Sequence, residues 1–248
     1  MRFQERTRVG RLARAVAPAA LAALLLTGCQ GVDGGGSEDS AHGAEPSKSA
    51  GAGSGGAAQE GTLPGVPGVP GADQARDELA ELKVAPHGSM SGYSRDKFPH
   101  WAEQGDNCST REAVLKRDGK DVKTDDECRA VSGNWVSVYD GERFTQSEDL
   151  DIDHTVPLAN AWRSGADKWT QEERKAFAND LEHPQLLSVS AHSNRSKGDQ
   201  GPDEWQPESK DYWCTYARSW VSVKSTYELT VTDAEKKELT TMLGTCSA

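Results

Sequence analysis

One segment of this 248-residue chain has too few apolar side chains to build a hydrophobic core, which limits the part of the chain that can form a folded domain. Residues 30–61 consist mostly of Gly, Ala and Ser, and residues 64–71 form a short Pro-Gly-Val repeat. The first stretch predicts a flexible coil and the second a stiffer, extended one. We therefore predict a linker over residues 29–75 and one folded domain over residues 76–248, which is a normal domain size.

The segment before the linker predicts export from the cytoplasm. Five arginines precede an apolar run, residues 15–26, that is too short to span a bilayer comfortably. Leu26-Thr27-Gly28-Cys29 follows, and this order resembles a bacterial lipobox. The resemblance implies a signal peptide over residues 1–28, a lipid on Cys29, and a membrane-anchored domain outside the cytoplasm. An ordinary cleaved signal with a chance cysteine is the alternative.

The charge of the chain argues against tight DNA binding through overall electrostatic attraction. The formal net charge is −11, and it becomes −15 once the five arginines and one glutamate of the predicted signal peptide are removed. Such a protein has no general field that attracts nucleic acid. An enzyme that contacts phosphate locally and releases its product quickly is still compatible with this charge.

The cysteines predict two structural disulfides. Four of the five cysteines remain if Cys29 carries lipid, an even number in an oxidising compartment, and no C-x2-C spacing indicates zinc. Three pairings are possible. We favour Cys108–Cys128 and Cys214–Cys246 because each closes a local loop, which contributes about 3 kcal/mol in the chain-entropy model.

The apolar patterning predicts an α+β domain with a small antiparallel sheet and surrounding helices. Residues 135–139 and a strand through Phe144 form a predicted hairpin around the Asp140-Gly141 turn, and further strands are predicted at residues 149–153 and 186–189. Helices are predicted at residues 75–83, from Thr170 to about 181, at about 209–224, and from Thr232 to Gly244. Capping boxes at Thr170 and Thr232 support two of these helix starts.

Two segments carry the side chains that phosphodiester hydrolysis requires. The first is Asp151-Ile-Asp153-His154-Thr-Val-Pro157, and the second is Ser193-Asn194-Arg195-Ser-Lys197-Gly-Asp199. An imidazole such as that of His154 can take a proton from water near neutral pH. Asp153 and Asn194 offer the oxygen ligands that a hard divalent cation prefers. Arg195 and Lys197 offer donors for phosphate oxygens.

Strand alternation raises a geometric condition for this site. Asp153 and His154 are neighbours and should point to opposite faces of a strand. Both can serve one phosphate only if the strand ends or bulges there, and Pro157 supports an early end. A strand–loop–strand–helix arrangement then brings Asn194, at the start of a helix, beside Asp153.

Together the two motifs resemble the ββα-metal core of HNH endonucleases. They are closest to the secreted HNH family related to the C-terminal domain of GmrSD-type restriction enzymes. The similarity extends to N-C-S-T-R at 107–111, A-W-R-S-G at 161–165, F-A-N-D-L at 177–181 and Y-W-C at 212–214, and it covers about residues 90–248. It implies a metal-dependent endonuclease of low sequence specificity, acting on DNA more than RNA. His154 is then the general base, and Asp153 and Asn194 bind Mg²⁺ or Mn²⁺.

Several questions stay open at the level of sequence. Many HNH domains have an asparagine in the second strand, where this chain has Gln185. Arg111 could contact phosphate or form a salt bridge within its disulfide loop. A calcium loop around Asp153 is disfavoured because its sixth position is His154 and not glycine. The rival functions are a non-catalytic surface lipoprotein binding module on the same fold, and hydrolysis of another phosphodiester. We predict a monomer.

Overall fold

The computed structural model describes residues 66–247. Cys29, the predicted signal peptide and most of the predicted linker lie outside this range. The helices are α1 (Ala72–Glu81), α2 (Thr110–Asp118), α3 (Leu158–Arg163), α4 (Gln171–Ala178), α5 (Ala191–Lys197), α6 (Trp213–Thr226) and α7 (Asp233–Leu243), and the strands are β1 (Lys120–Thr124), β2 (Ala130–Val136), β3 (Arg143–Phe144), β4 (Leu150–His154) and β5 (Leu186–Ser190). The predicted α+β class is confirmed.

The strands form two small antiparallel sheets. One sheet has the order β1-β2-β3, and the β2–β3 hairpin pairs Trp135 with Phe144 across the predicted turn. The other consists of β4 and β5 alone, with Leu150 opposite Ser190 and His154 opposite Leu186. Helix α5 begins directly after β5. The chain therefore contains a strand–strand–helix unit whose two strands are joined by the segment that includes α3 and α4.

The two-stranded sheet lies between two hydrophobic clusters. Ile152 and Leu186 belong to the smaller cluster, which also includes Trp135 and side chains of α2. Leu187 and Val189 belong to the larger cluster, which the helices α1, α3, α4, α6 and α7 enclose. Burial on both faces explains why β5 is apolar or small at every position.

The first described helix overlaps the end of the predicted linker, residues 29–75. Helix α1 starts at Ala72, and its buried residues Ala75 and Leu79 pack in the larger cluster. The Pro70 carbonyl accepts a hydrogen bond of 2.6 Å from the Arg218 guanidinium. Part of the Pro-Gly-Val repeat is thus held against the domain. Within the described range, no helix combines the length and the apolar character needed to cross a bilayer.

Both predicted disulfides are confirmed. Cys108–Cys128 joins the segment before α2 to the loop between β1 and β2, with 5.1 Å between the Cα atoms. Cys214–Cys246 joins the start of α6 to the chain after α7, with 4.9 Å between the Cα atoms. The predicted capping boxes at Thr170 and Thr232 are also present. These features depend on local sequence and fix the ends of the helices around the core.

Candidate functional site

A polar cleft of about 260 Å³ lies at the end of β4. Its walls come from β4, the start of α3, helix α5 and a turn before α2. The residues that line it are Tyr93, Arg95, Ile152, Asp153, His154, Pro157, Leu158, Ala159, Asn194, Arg195, Gly198 and Asp199. Strand β4 ends at His154, as the position of Pro157 predicted. Asp153, His154 and Asn194 therefore line the same cleft.

His154 is held in one tautomer by the end of α4. Its Nε2 lies 3.0 Å from the carbonyl oxygen of Ala178. A carbonyl can only accept a hydrogen bond, so Nε2 carries the proton and Nδ1 keeps its lone pair. Burial lowers the pKa of His154 to about 3, because the charged ring loses its hydration. The imidazole is therefore neutral at pH 7, and within residues 66–247 no hydrogen bond reaches its Nδ1.

A tryptophan packs near the imidazole of His154. The ring centroids of Trp101 and His154 are 5.9 Å apart, and Trp101 has a left-handed backbone with φ of 61°. The Asn179 side chain holds this segment: it accepts from the Ala102 amide at 2.8 Å and donates to the Pro99 carbonyl at 2.7 Å. Asn179 directly follows Ala178. The end of α4 thus positions both the imidazole and its aromatic neighbour.

Asp153 is a buried carboxylate with two strong donors. The Tyr139 hydroxyl donates to Oδ2 at 2.6 Å, and the Lys197 Nζ lies 3.0 Å from Oδ1 and 2.9 Å from Oδ2. Burial raises the pKa of Asp153, and the contacts with Lys197 and Tyr139 reverse only part of that effect. Tyr139 was not predicted as a site residue.

Lys197 lies inside the domain, away from the cleft wall. Its side chain is fully buried, and besides binding Asp153 it donates to the His154 carbonyl at 2.8 Å. We predicted a phosphate donor at this position. The ammonium group instead contacts two consecutive residues of β4, the Asp153 carboxylate and the His154 carbonyl.

Asn194 and Arg195 reach the cleft from α5. The Asn194 Nδ2 donates to Asp151 Oδ2 at 3.0 Å, and in the described part of the chain the amide oxygen has no hydrogen-bond donor. The Arg195 Nε lies 3.6 Å from the same Asp151 oxygen, and the Arg195 side chain is 75% exposed. Helix α5 starts at Ala191, so Asn194 lies in its first turn. Asp151 therefore orients both side chains toward the cleft.

Arg111 lies outside the cleft. Its guanidinium donates to the backbone carbonyls of Ser147 and Leu150, each at 3.0 Å. These bonds join α2 to the start of β4. The predicted contact with phosphate has no support from this position, and neither has the alternative of a salt bridge in the disulfide loop.

Gln185 shapes the chain that follows His154. Its side chain is fully buried, accepts from the Val156 amide at 3.0 Å and donates to the Val156 carbonyl at 2.9 Å. The Gln185 carbonyl also accepts from the Thr155 amide at 2.7 Å. The residue therefore fixes the turn between β4 and α3, which answers the question that the sequence left open.

The donor set fits a lightly held, hydrated cation. Residues 66–247 contain no group of three or more His, Cys, Asp or Glu side chains arranged to bind a metal. Of the predicted ligands, the cleft offers the Asp153 carboxylate, shared with Lys197, and the Asn194 amide oxygen, which accepts no hydrogen bond within residues 66–247. Mg²⁺ commonly takes one or two protein oxygens and keeps its waters, whereas zinc sites use more nitrogen or sulfur ligands.

Comparisons with known proteins agree with the sequence resemblance. The model of the family described as GmrSD restriction endonucleases, C-terminal domain, matches residues 108–242, more than half of the chain. An uncharacterized secreted protein of Arthroderma benhamiae is 55% identical over 175 residues, which make up 71% of this chain and 86% of that relative. No solved structure matches the chain. The chain therefore belongs to the family of GmrSD restriction endonuclease C-terminal domains.

Proposed function

We propose that the protein is a metal-dependent HNH endonuclease, with β4, β5 and α5 as its ββα-metal core. The observation that carries this proposal is the shared cleft of His154, Asp153 and Asn194, which come from two distant segments of the chain. Family membership supports a nuclease-related function. The role of each residue rests on its chemistry and position.

His154 acts as the general base in this proposal. A water molecule in the cleft gives its proton to Nδ1 and attacks the phosphorus in line with the leaving oxygen. The Ala178 carbonyl accepts from Nε2 throughout and stabilises the imidazolium that forms. The negative charge of a bound phosphate raises the pKa of His154 from its low value and makes the ring a stronger base.

Asp153 and Asn194 hold Mg²⁺ or Mn²⁺ in this proposal. When bound, the cation stabilises charge on the phosphoryl oxygens and on the leaving 3′-oxygen. Lys197 and Tyr139 fix the Asp153 carboxylate, and Asp151 fixes the Asn194 amide. Arg195, exposed at the rim, contacts flanking phosphates. By analogy with the resembled enzymes, the products carry 5′-phosphates.

The substrate we propose is nucleic acid, DNA more than RNA, cut with little sequence specificity. The net charge of −11 weakens long-range attraction, so affinity depends on local contacts in the cleft. Weak overall binding also speeds product release.

We further propose that the enzyme acts outside the cytoplasm as a monomer, anchored through a lipid on Cys29. The arginine-rich start, the short apolar run and the Leu-Thr-Gly-Cys sequence support export and lipidation. A similar protein is named as secreted. Palmitate labelling of the expressed full chain, with Cys29→Ala as the control, tests the anchor.

One observation favours a non-catalytic binding module instead. The Asp153 carboxylate already has Lys197 and Tyr139 as partners, so its charge is balanced in part without a cation. In that case the acidic surface binds an envelope or surface partner and the HNH-like core is only a scaffold. Cleavage assays separate the two functions.

The decisive experiment is plasmid nicking by the purified protein with Mg²⁺ and with chelator. We expect nicking when Mg²⁺ is present and none when chelator is added. The nicking rate of His154→Ala should be lower by at least roughly 100-fold, since a positioned general base contributes that much or more. His192→Ala is the matched control because His192 lies exposed on α5, outside the cleft. Wild-type rates in His154→Ala would overturn the assignment of the base.

A further inference from the structure

The charged side chains of the cleft are almost all neutralised by neighbours. Asp153 pairs with Lys197 at 2.9 Å. Asp199 lies 3.5 Å from the Arg163 guanidinium, and Arg195 lies 3.6 Å from Asp151. These groups together leave the cleft close to electrically balanced.

Arg95 is the exception. It lines the cleft, its side chain is exposed, and across residues 66–247 its guanidinium makes no hydrogen bond and no ion pair. Its charge acts on the imidazole of His154 and on the phenol of Tyr93, which lies on the same wall. An otherwise acidic chain thus exposes an uncompensated cation beside the general base.

The backbone that carries Arg95 is well anchored. Arg95 opens a short 3-10 turn in which the Ser94 side chain accepts from the Asp96 amide, and the Phe98 amide donates to the Arg95 carbonyl at 3.0 Å. Phe98 is fully buried in the larger core. The fold therefore fixes the base of the Arg95 side chain and leaves its guanidinium free for a ligand.

We propose that Arg95 is the residue that binds the reacting phosphate, through two parallel hydrogen bonds from its guanidinium to two non-bridging oxygens. This inference rests on the nuclease function proposed above and adds a catalytic residue to it. A planar guanidinium matches phosphate in this bidentate geometry. An arginine without a counter-ion needs no internal pair to be broken before it binds, which distinguishes Arg95 from Arg195.

The first arm of the test compares two arginines in single-turnover DNA cleavage with Mg²⁺. Arg95→Ala should lose roughly 100-fold in rate, the usual loss for one donor to transition-state charge. Arg95→Lys should recover only part of it, and added guanidinium should partly restore Arg95→Ala. Arg143→Ala, the matched control, changes an exposed arginine on β3 outside the cleft and should change the rate less than about twofold. Equal rates in the two alanine variants would overturn the proposal.

The second arm measures binding of inorganic phosphate and does not depend on cleavage. Calorimetric titration should show that the His154→Ala variant binds inorganic phosphate. The double variant that also carries Arg95→Ala should bind phosphate at least about tenfold more weakly, a difference of roughly 1.4 kcal/mol. Unchanged binding would contradict the role of Arg95. If the wild type cuts neither DNA nor RNA, the nuclease function fails, and phosphate binding still decides whether Arg95 forms an anion site.

Discussion

Two fully buried lysines, each paired with a buried carboxylate, lie in different parts of this domain. Lys197 binds Asp153 beside the cleft, with 2.9 Å between the charged atoms. Lys224 binds Glu235 within the helical core, with a separation of 3.5 Å. Side-chain exposure is close to zero in both pairs. Their surroundings, however, give the two carboxylates opposite properties.

Glu235 has enough donors to compensate for its burial. It accepts from the Thr232 amide at 2.7 Å as part of the α7 capping box and from Asn160 at 3.0 Å. Burial alone raises the pKa of Glu235, but contacts with His87, Lys224 and Thr232 outweigh it and hold the pKa at about 2. This ion pair is a completed structural element of the core.

Asp153 lacks that compensation. Burial raises its pKa even though Lys197 and Tyr139 both contact the carboxylate. Burial lowers the pKa of Lys197, and it lowers that of Lys224 as well, so the difference between the two pairs lies in their carboxylates. The comparison indicates that further positive charge near Asp153 stabilises its ionised form. This is the condition that the proposed divalent cation meets.

The largest expected difference is in the cleavage rate, between a variant that replaces both residues of the Lys197–Asp153 pair and one that replaces both residues of the Lys224–Glu235 pair. Asp153→Asn with Lys197→Met should reduce cleavage roughly 1000-fold, since a catalytic cation contributes several kcal/mol of transition-state stabilisation. Glu235→Gln with Lys224→Met keeps a side chain suited to the capping box and should leave the rate within about threefold. Single-turnover rates of the folded variants measure this contrast. Equal losses in the two double variants would remove the functional distinction between the pairs.

Removing the carboxylate of the Lys224–Glu235 pair should show how much this pair contributes to the stability of the fold. Glu235→Ala leaves Lys224 buried without its carboxylate, and we expect a loss of about 3–5 kcal/mol in the free energy of unfolding. Urea denaturation measures this loss, and the activity per folded molecule should not change. A loss below about 1 kcal/mol would mean that Asn160, Ser164 and the Thr230 carbonyl satisfy Lys224 unaided.

Acid should weaken the Glu235 pair in a defined pH range. The pKa of Glu235 is about 2 in the folded protein and ordinarily 4.5. The unfolded chain therefore takes up the proton first as the pH falls, and about 3 kcal/mol of stability is lost between pH 4.5 and 2. Denaturation midpoints across this range should fall less steeply in Glu235→Gln. The exposed Glu172→Gln serves as the control and should follow the wild type.

The smallest expected effect on stability and cleavage comes from loosening the segment around Trp101, which lies near the imidazole of His154. Asn179→Ala removes hydrogen bonds to Ala102 and Pro99, so we expect a loss of about 1–2 kcal/mol in stability. Cleavage should fall roughly tenfold as Trp101 loses its position beside His154. The control, Asn134→Ala on β2, is exposed and should change neither quantity. Normal cleavage by Asn179→Ala would show that Trp101 does not help to position the base.

The sequence predicted features that depend on neighbouring residues. The hairpin around Asp140-Gly141, the capping box at Thr170 and the disulfides follow from local turn, cap and loop-closure rules, and all are present, although the first hairpin strand ends at Val136 and not at the predicted residue 139. Helix α2, in contrast, was not predicted. Its apolar positions are few, and it is held by packing of Val114 and Leu115 against β-strands that are distant in sequence.

The candidate site was predicted only in part, because local motifs indicate some of its residues and packing between distant segments positions the others. The two motifs located His154, Asp153 and Asn194, which do line one cleft. The position of Arg95 in the cleft was missed because tertiary packing, with Phe98 buried in the larger core, places its turn there. The inward position of Lys197 was missed too, since spacing alone does not reveal which side of α5 faces the core. Helix α4 was predicted to extend to about residue 181 but ends at Ala178, whose carbonyl binds His154.

Binding of Mn²⁺ followed by NMR tests the central claim most directly, since each lysine pair has a histidine nearby. His154 directly follows Asp153, and the His87 Nε2 lies 3.7 Å from Glu235. We predict that substoichiometric Mn²⁺ broadens the ring signals of His154, that those of His87 persist, and that Asn194→Ala abolishes the effect. Sharp His154 signals in the presence of Mn²⁺, or equal broadening of both histidines, would contradict a metal site at Asp153 and Asn194.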